Sequence, residues 1–116
     1  MFAGHKNLNS LVVILDRNGE GCTDFTEKLL SLDPLEDKLK AFNWEVWEIK
    51  NGHDIAEVYD ILNKVKSRKS DKPLFIVANT IKGHGVDFME HVPWLHGQVP
   101  IGDRGKEALR LLKEKR

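Results

Sequence analysis

The sequence has little of several features that define whole classes of protein. Among its 116 residues there is a single cysteine, Cys22, which excludes an internal disulfide framework. The longest aliphatic runs have five residues, whereas a membrane span needs about 20 and a secretory signal core roughly 7–15. Positive charge is not in excess, because 18 Lys plus Arg balance 18 Asp plus Glu, unlike in most nucleic-acid binders. We therefore expect a cytoplasmic protein that binds neither nucleic acid nor membranes.

The patterns that are present predict alternating strands and helices in a soluble globular domain. Two short apolar runs, Leu11–Leu15 and Leu74–Asn79, have no polar face, which is typical of parallel strands covered on both sides by helices. Trp44–Ile49 alternates apolar and acidic residues, so we place this strand nearer an edge of the sheet. The predicted fold class is α/β, a parallel sheet with flanking helices and right-handed crossovers.

Helices are predicted between and after these strands. The first is Pro34–Phe42, with Asp33 as its N-cap and Pro in the first helical position. The second, Asp54–Ser67, carries an apolar stripe for packing on a sheet, and the last runs from about Asp103 to Lys115. Residues 1–9 can supply only the tail of a helix, with no strand before it. A doubly wound sheet usually begins with a strand, so the chain looks like the second half of a domain.

The loop after the first apolar run holds a candidate metal site, because ligands of open α/β sheets bind beyond the carboxyl ends of the strands. In Asp16–Glu20, the Asn18 side-chain oxygen and a nearby carbonyl are suitable ligands for Mg²⁺ or Ca²⁺. The alternative is a turn in which Asp and Asn bond their own backbone. The spacing by itself favours the turn.

The loop after Leu74–Asn79 is a candidate phosphate site. Its two glycines, Gly83 and Gly85, let the backbone approach an anion, and Lys82 supplies a positive charge. The alternative is a flexible loop with a solvated lysine. His84, His91 and His96 have no zinc-ligand spacing, so a histidine here is better suited to proton transfer or hydrogen bonding.

Taken in order, the short motifs of these segments resemble those of transketolases over about residues 1 to 100. The likeness is greatest to the split bacterial or archaeal type, whose amino-terminal subunit binds the diphosphate of thiamine diphosphate. The motifs are Phe2–Lys6, Asp16–Gly19, Trp44–Val46, Gly52–Ile55, Lys82–Val86, Phe88–Glu90 and His96-Gly97.

The resemblance implies roles for four residues and two cofactors, thiamine diphosphate and Mg²⁺. Asn18 matches the family's Mg²⁺ ligand, and Glu20 falls where the family offers a backbone carbonyl to the same ion. Lys82 matches a lysine near the cofactor. His96 matches a histidine that contacts the diphosphate and faces the substrate, which implies a catalytic role. The implied reaction transfers a two-carbon ketol unit from a ketose phosphate to an aldose phosphate.

The sequence departs from the transketolase pattern at several places, and these differences limit the function that we expect. The upstream Gly-Asp-Gly motif and the pyrimidine-binding domain are missing, and Glu20–Asp24 replaces a more apolar stretch. We expect residues 1–116 to be a single, partial thiamine diphosphate-binding domain. It would be active only with another transketolase chain or subunit that supplies the missing half-domain and the pyrimidine domain, in an oligomer acting on sugar phosphates.

Two other hypotheses stay open at this point. The chain could be a non-catalytic oligomerising module that retains the transketolase-type fold, because its missing strands would leave sheet edges and apolar faces to cover. It could also bind a phosphorylated small molecule through Lys82 and His96 alone.

Overall fold

A computed structural model describes residues 1–114 of the chain and contains a three-stranded parallel sheet. The strands are β1 (Val12–Arg17), β2 (Glu45–Ile49) and β3 (Leu74–Asn79), in the order β1-β3-β2. The predicted α/β fold with a parallel sheet is confirmed, and each predicted strand is present with its boundaries shifted by at most two residues. The Trp44–Ile49 segment does lie at an edge, as its alternating pattern predicts.

The central strand β3 carries the core of the sheet. Leu74 and Ile76 are fully buried, and they form the core with Ile49 and Ala78. Leu74 lies opposite Val12 on one side and Glu45 on the other, so both neighbouring strands are aligned on the same residue. A strand with neighbours on both sides needs a continuous apolar sequence, which explains the Leu74–Asn79 pattern.

Strand β1 differs from its prediction, because it is only half buried. The Ile14 side chain is 53% exposed although its neighbours along the strand are partly covered. Successive side chains point to opposite faces of a sheet, so Ile14 shares its face with Val12, which packs against the core, and with the exposed Asp16. The expectation of a strand covered on both faces is therefore wrong for β1 in this structure.

Helices occupy the remaining segments. Val58, Ile61 and Val65 of the second predicted helix pack against the core, whereas Ile55 and Leu62 of the same predicted apolar stripe are exposed. The last predicted helix is also present, although its expected end at Lys115 lies outside the described residues. The five α-helices of residues 1–114 are α1 (Phe2–His5), α2 (Thr26–Leu29), α3 (Leu35–Ala41), α4 (Ile55–Lys66) and α5 (Gly102–Glu114), and two 3₁₀ helices are Asp87–Met89 and Pro93–Leu95.

The two predicted N-caps have different outcomes. Asp54 caps α4, because its carboxylate accepts hydrogen bonds from the N–H groups of Ala56 at 2.9 Å and Glu57 at 3.4 Å. Asp33 is not the N-cap residue of α3, which is Pro34. Its carboxylate accepts a hydrogen bond from the N–H of Leu35, the first residue of α3, and another from the Arg17 guanidinium at 2.6 Å, a charged partner at the end of β1. The side chain therefore keeps a local contact with the start of α3 beside its long-range ion pair.

The described residues form two compact units. The first comprises residues 1–17 and 32–80, which include the sheet, α1, α3 and α4. The second comprises residues 18–31 and the chain from Ile81 onward, which include α2, the 3₁₀ helices and α5. Its buried side chains include Val86, Pro93 and Ala108. Among the described residues, no helix is both long enough and apolar enough to cross a membrane.

A buried guanidinium joins β2 to the segment between α4 and β3 in the first unit. The Arg68 side chain is only 7% exposed and lies 2.9 Å from both the Glu45 carboxylate and the Lys72 carbonyl. Trp47 also donates a hydrogen bond from its indole N–H to Glu45 at 2.8 Å. Burial alone raises the pKa of Glu45, but the hydrogen bonds from Ser70, Arg68 and Trp47 outweigh it and hold that pKa below its usual range.

We expect Glu45→Gln to lower the free energy of unfolding by about 1.5–3 kcal/mol at neutral pH, since it removes a charge-assisted hydrogen bond to a buried cation. A lowered folded-state pKa contributes stability that is complete above the unfolded value of about 4.3 and is lost as pH falls through the folded value. The difference between wild type and variant should therefore shrink in acid. Urea unfolding between neutral pH and pH ~3 measures it.

The matched control is Glu36→Gln, which removes a carboxylate from an exposed ion pair with Lys40 on α3. Exposed pairs contribute little, so this control should change the free energy of unfolding by less than about 1 kcal/mol at any pH. Equal effects of the two substitutions would contradict a special role for the Glu45–Arg68 pair.

Candidate functional site

The four site residues predicted from the sequence all lie in the second compact unit. Asn18 and Glu20 follow directly from the end of β1, and Lys82 and His96 follow β3. Arg17 and Asn79, the last residues of the two strands, are partners in the parallel ladder. Because β1 and β3 are parallel, both segments begin at the carboxyl-terminal end of the sheet.

Asn18 begins a tight, self-bonded turn. Its side-chain oxygen accepts a hydrogen bond from the Glu20 N–H at 3.0 Å, and Gly19 has a positive φ of 74°. The Thr26 N–H donates to the Gly19 carbonyl at 2.9 Å, so the chain folds back on itself. This is the turn chemistry that the sequence favoured over metal binding. The two interpretations are compatible, because an amide oxygen has two lone pairs and the turn uses one.

The Glu20 side chain points inward and is only 1% exposed. Its Oε2 atom lies 2.7 Å from the Lys82 ammonium nitrogen. Neither carboxylate oxygen accepts a hydrogen bond of normal geometry from the described residues, so this contact is an ion pair defined by distance. Burying a lone carboxylate costs several kcal/mol, and Lys82 is therefore the group that compensates the Glu20 charge.

Lys82 is held by one ion pair and two hydrogen bonds. In addition to Glu20, its ammonium group donates hydrogen bonds to the carbonyls of Val92 at 3.0 Å and Pro93 at 3.3 Å. Two of the three ammonium protons are thus donated to carbonyls, and the positive charge is compensated by Glu20. The side chain is 23% exposed. Lys82 is thus neither the solvated lysine of the alternative prediction nor, in this arrangement, a free cation for phosphate.

His96 is connected to Lys82 through one carbonyl. It follows the 3₁₀ helix Pro93–Leu95, and its N–H donates to the Pro93 carbonyl at 2.9 Å. The same carbonyl accepts from Lys82. His96 itself is exposed. A continuous series of contacts therefore leads from the Asn18 turn through Glu20, Lys82 and Pro93 to His96.

The glycines of the Lys82–Gly85 loop serve the loop's own packing. A Cβ atom on Gly83 would lie 2.7 Å from the Met89 carbonyl oxygen, and the φ of Gly83 is +79°. The Gly85 N–H, a candidate anion donor, is already bonded to the Glu90 carboxylate at 2.9 Å. His84 lies 3.5 Å from the same carboxylate through Nδ1. Within residues 1–114, no three His, Cys, Asp or Glu side chains are grouped to hold a metal.

Comparison with known proteins decides the family. Residues 1–114 match the family described as transketolase, thiamine diphosphate binding domain. The chain belongs to this transketolase family. It is 39% identical over 112 residues to a subunit of the apulose-4-phosphate transketolase of Actinobacillus succinogenes, covering 97% of this chain and 40% of that protein. It is also 40% identical over 114 residues to the 6-deoxy-6-sulfo-D-fructose transketolase subunit SqwG of a Clostridium species, covering 98% and 41%.

Solved transketolase structures share the fold. The chain superposes on transketolase from Leishmania mexicana with a TM-score of 0.67 and 25% identity, covering 98% of this chain and 20% of that one. For transketolase from Campylobacter jejuni the TM-score is 0.69 at 22% identity, with 98% and 21% covered. The transketolase-type chain spans about 40% of the length of the curated relatives described above.

The residues of this transketolase-type domain fit the family's metal and cofactor in part. Asn18 keeps a free lone pair and Glu20 offers a carbonyl, both hard oxygen donors suited to Mg²⁺. Mg²⁺ takes an octahedral set, so further ligands have to come from water, diphosphate or another segment. Lys82 does not fit as an available cation, because Glu20 already neutralises it. Sequence reasoning missed this role of the Glu20 side chain, whose only signal was a charge in a stretch that is usually apolar.

We expect Gly83→Ala to lower the free energy of unfolding more than Gly97→Ala does. Both positions have positive φ, 79° and 73°, so each alanine incurs backbone strain of about 1–2 kcal/mol. Only Gly83 also faces a close backbone oxygen, which adds roughly 1–3 kcal/mol of overpacking. Nothing lies within 4 Å of a Cβ built on Gly97. Urea unfolding of both variants measures the difference, and equal losses would contradict the packed loop.

Proposed function

We propose that this chain is part of a cytoplasmic transketolase that transfers a two-carbon ketol unit between sugar phosphates, using thiamine diphosphate and Mg²⁺. Family membership supports the transketolase type. The observation that carries the assignment of the site is the series of contacts from the Asn18 turn through Glu20 and Lys82 to Pro93 and His96. This series brings the proposed metal ligands and the proposed catalytic histidine into one compact unit.

Each residue has a role that its chemistry allows. The Asn18 amide oxygen and the Glu20 carbonyl would hold Mg²⁺, whose charge would neutralise the diphosphate. When bound, thiamine diphosphate supplies the carbanion-stabilising chemistry. His96, exposed after its 3₁₀ helix, would move protons on the sugar hydroxyl, because an imidazole can both accept and donate a proton. Lys82 fixes the spacing between the two segments and lies near the cofactor.

The proposed activity requires a partner. The curated relatives described above are subunits of transketolases, which supports a partner subunit for this chain. We propose that another transketolase chain or subunit acts together with this one and supplies the pyrimidine-binding domain. In this proposal, the residues of the present chain form one partial thiamine diphosphate-binding domain.

A second candidate is a non-catalytic oligomerising module. The observation that favours it is apolar exposure in both units, with Phe2 at 70% and Ile14 at 53% in one, and Val99 at 80% and Ile101 at 83% in the other. Such side chains are typical of surfaces that another chain covers. Sedimentation of the chain alone distinguishes this candidate, since a stable monomer counts against it.

The main proposal is tested by calorimetric titration of thiamine diphosphate with Mg²⁺. The titration is made with the chain alone and with the chains encoded beside it. Binding by the complete set supports a split transketolase. Absence of binding by the complete set contradicts the proposal.

If the complete set of chains binds the cofactor, we expect Asn18→Ala to weaken Mg²⁺-dependent cofactor binding by at least about tenfold. Mutating residues that only contact a metal's ligands already weakens metal binding by about tenfold or more, and Asn18 is itself a proposed ligand. Asn18→Asp keeps an oxygen at the same position and should retain binding. The control Asn63→Ala changes an asparagine of α4 in the other unit. Equal binding by Asn18→Ala and wild type would remove Asn18 from the metal site.

A further inference from the structure

The Glu20 side chain has no part in the proposed metal site, which uses only its main-chain carbonyl. This side chain is nevertheless among the most enclosed charged groups described, at 1% exposure. The Gly21 N–H bonds to the Asp24 carbonyl at 2.8 Å and the Thr26 N–H bonds to the Gly19 carbonyl at 2.9 Å, so the turn closes tightly on both sides of Glu20. A buried charge in such a turn needs a partner, and that partner is Lys82.

The pairing changes what Lys82 offers to an anion. Lys82 donates hydrogen bonds to the carbonyls of Val92 and Pro93, and its charge is paired with the Glu20 carboxylate 2.7 Å away. The net charge of the pair is zero. A phosphate therefore meets a dipole instead of a cation, and its Coulombic attraction to the site is correspondingly small.

The pairing is also the sole charge compensation for the carboxylate among the described residues. Neither Glu20 oxygen accepts a hydrogen bond of normal geometry there, so separating Lys82 from Glu20 would leave a buried carboxylate without a partner. An anion that binds Lys82 in place of Glu20 must therefore offset the cost of leaving the buried Glu20 carboxylate unpaired. The two anions, carboxylate and ligand, therefore compete for one ammonium group.

We propose that Glu20 is a built-in counter-ion that occupies Lys82 and sets the affinity of this site for anions. A diphosphate-bearing ligand gains the full charge of Lys82 only by displacing the Glu20 carboxylate. This inference rests on the proposed function, because it concerns the lysine that the resemblance places near the cofactor. It assigns to residue 20 a side-chain role that limits anion affinity, separate from the metal-binding role of its carbonyl.

The test measures binding of inorganic pyrophosphate, without metal, to the full chain by calorimetry. Glu20→Gln keeps the size of the side chain and removes its charge. We expect this variant to bind pyrophosphate about tenfold or more tighter than wild type, because Lys82 then carries an uncompensated charge. The double variant Glu20→Gln/Lys82→Met should lose the whole gain.

The matched control is Glu107→Gln, which makes the same change of net charge on α5 in the same compact unit. It should bind pyrophosphate like wild type. Circular dichroism checks that each variant is folded, and Glu20→Leu, which restores an apolar residue in the turn, replaces Glu20→Gln if that variant unfolds. Tighter binding by either residue-20 variant, lost in combination with Lys82→Met, supports the counter-ion.

Affinity of the residue-20 variants equal to that of Glu107→Gln, or a gain that survives Lys82→Met, overturns the counter-ion. These outcomes are independent of the proposed function. A complete set of chains that binds thiamine diphosphate with Mg²⁺ but shows no gain with Glu20→Gln retains the function and loses this inference. The reverse result, a gain with pyrophosphate and no cofactor binding by the complete set, retains the counter-ion and loses the function.

Discussion

The structure depends first on the double pairing of strand β3. Leu74 and Ile76 are fully buried because β1 and β2 both pair with β3 in parallel, with Leu74 opposite Val12 on one side and Glu45 on the other. Parallel pairing requires long crossover connections, which here contain helices. It also places Arg17 beside Asn79, so the two segments that carry the candidate site residues begin at the carboxyl-terminal end of the sheet.

The second unit depends in a similar way on one ion pair. Glu20 and Lys82 lie 2.7 Å apart with little exposure, and Lys82 continues to the Pro93 carbonyl that also holds the His96 N–H. Buried charges are costly unless paired, so the turn at Glu20 and the segment before His96 depend on the same ammonium group. The positions of the candidate site residues therefore depend on the pairing of Lys82 with Glu20 as well as on the local turns of each loop.

Local patterns predicted the parts of this structure that local chemistry controls. The alternation around Trp47 predicted an edge strand. Asp54 was predicted as a cap because the N–H groups that donate to its side chain belong to the next few residues of the chain. Asp33 has equally good capping chemistry, but Pro34 takes the N-cap position, and the Asp33 carboxylate also binds a guanidinium 16 residues earlier in the chain. The exposure of Ile14 was missed for a similar reason, since cover for a strand face comes from distant segments.

The sequence by itself determined the α/β class, the positions of the strands and the transketolase family, because residue periodicity and ordered motifs are encoded along the chain. Only the tertiary structure decided what Lys82 contacts. Its charge, visible in the sequence, indicated a phosphate ligand, whereas folding places it against a carboxylate 62 positions away in the numbering, Glu20. The physical reason is that the energy of a charge depends on its surroundings, and these surroundings exist only after distant segments have packed together.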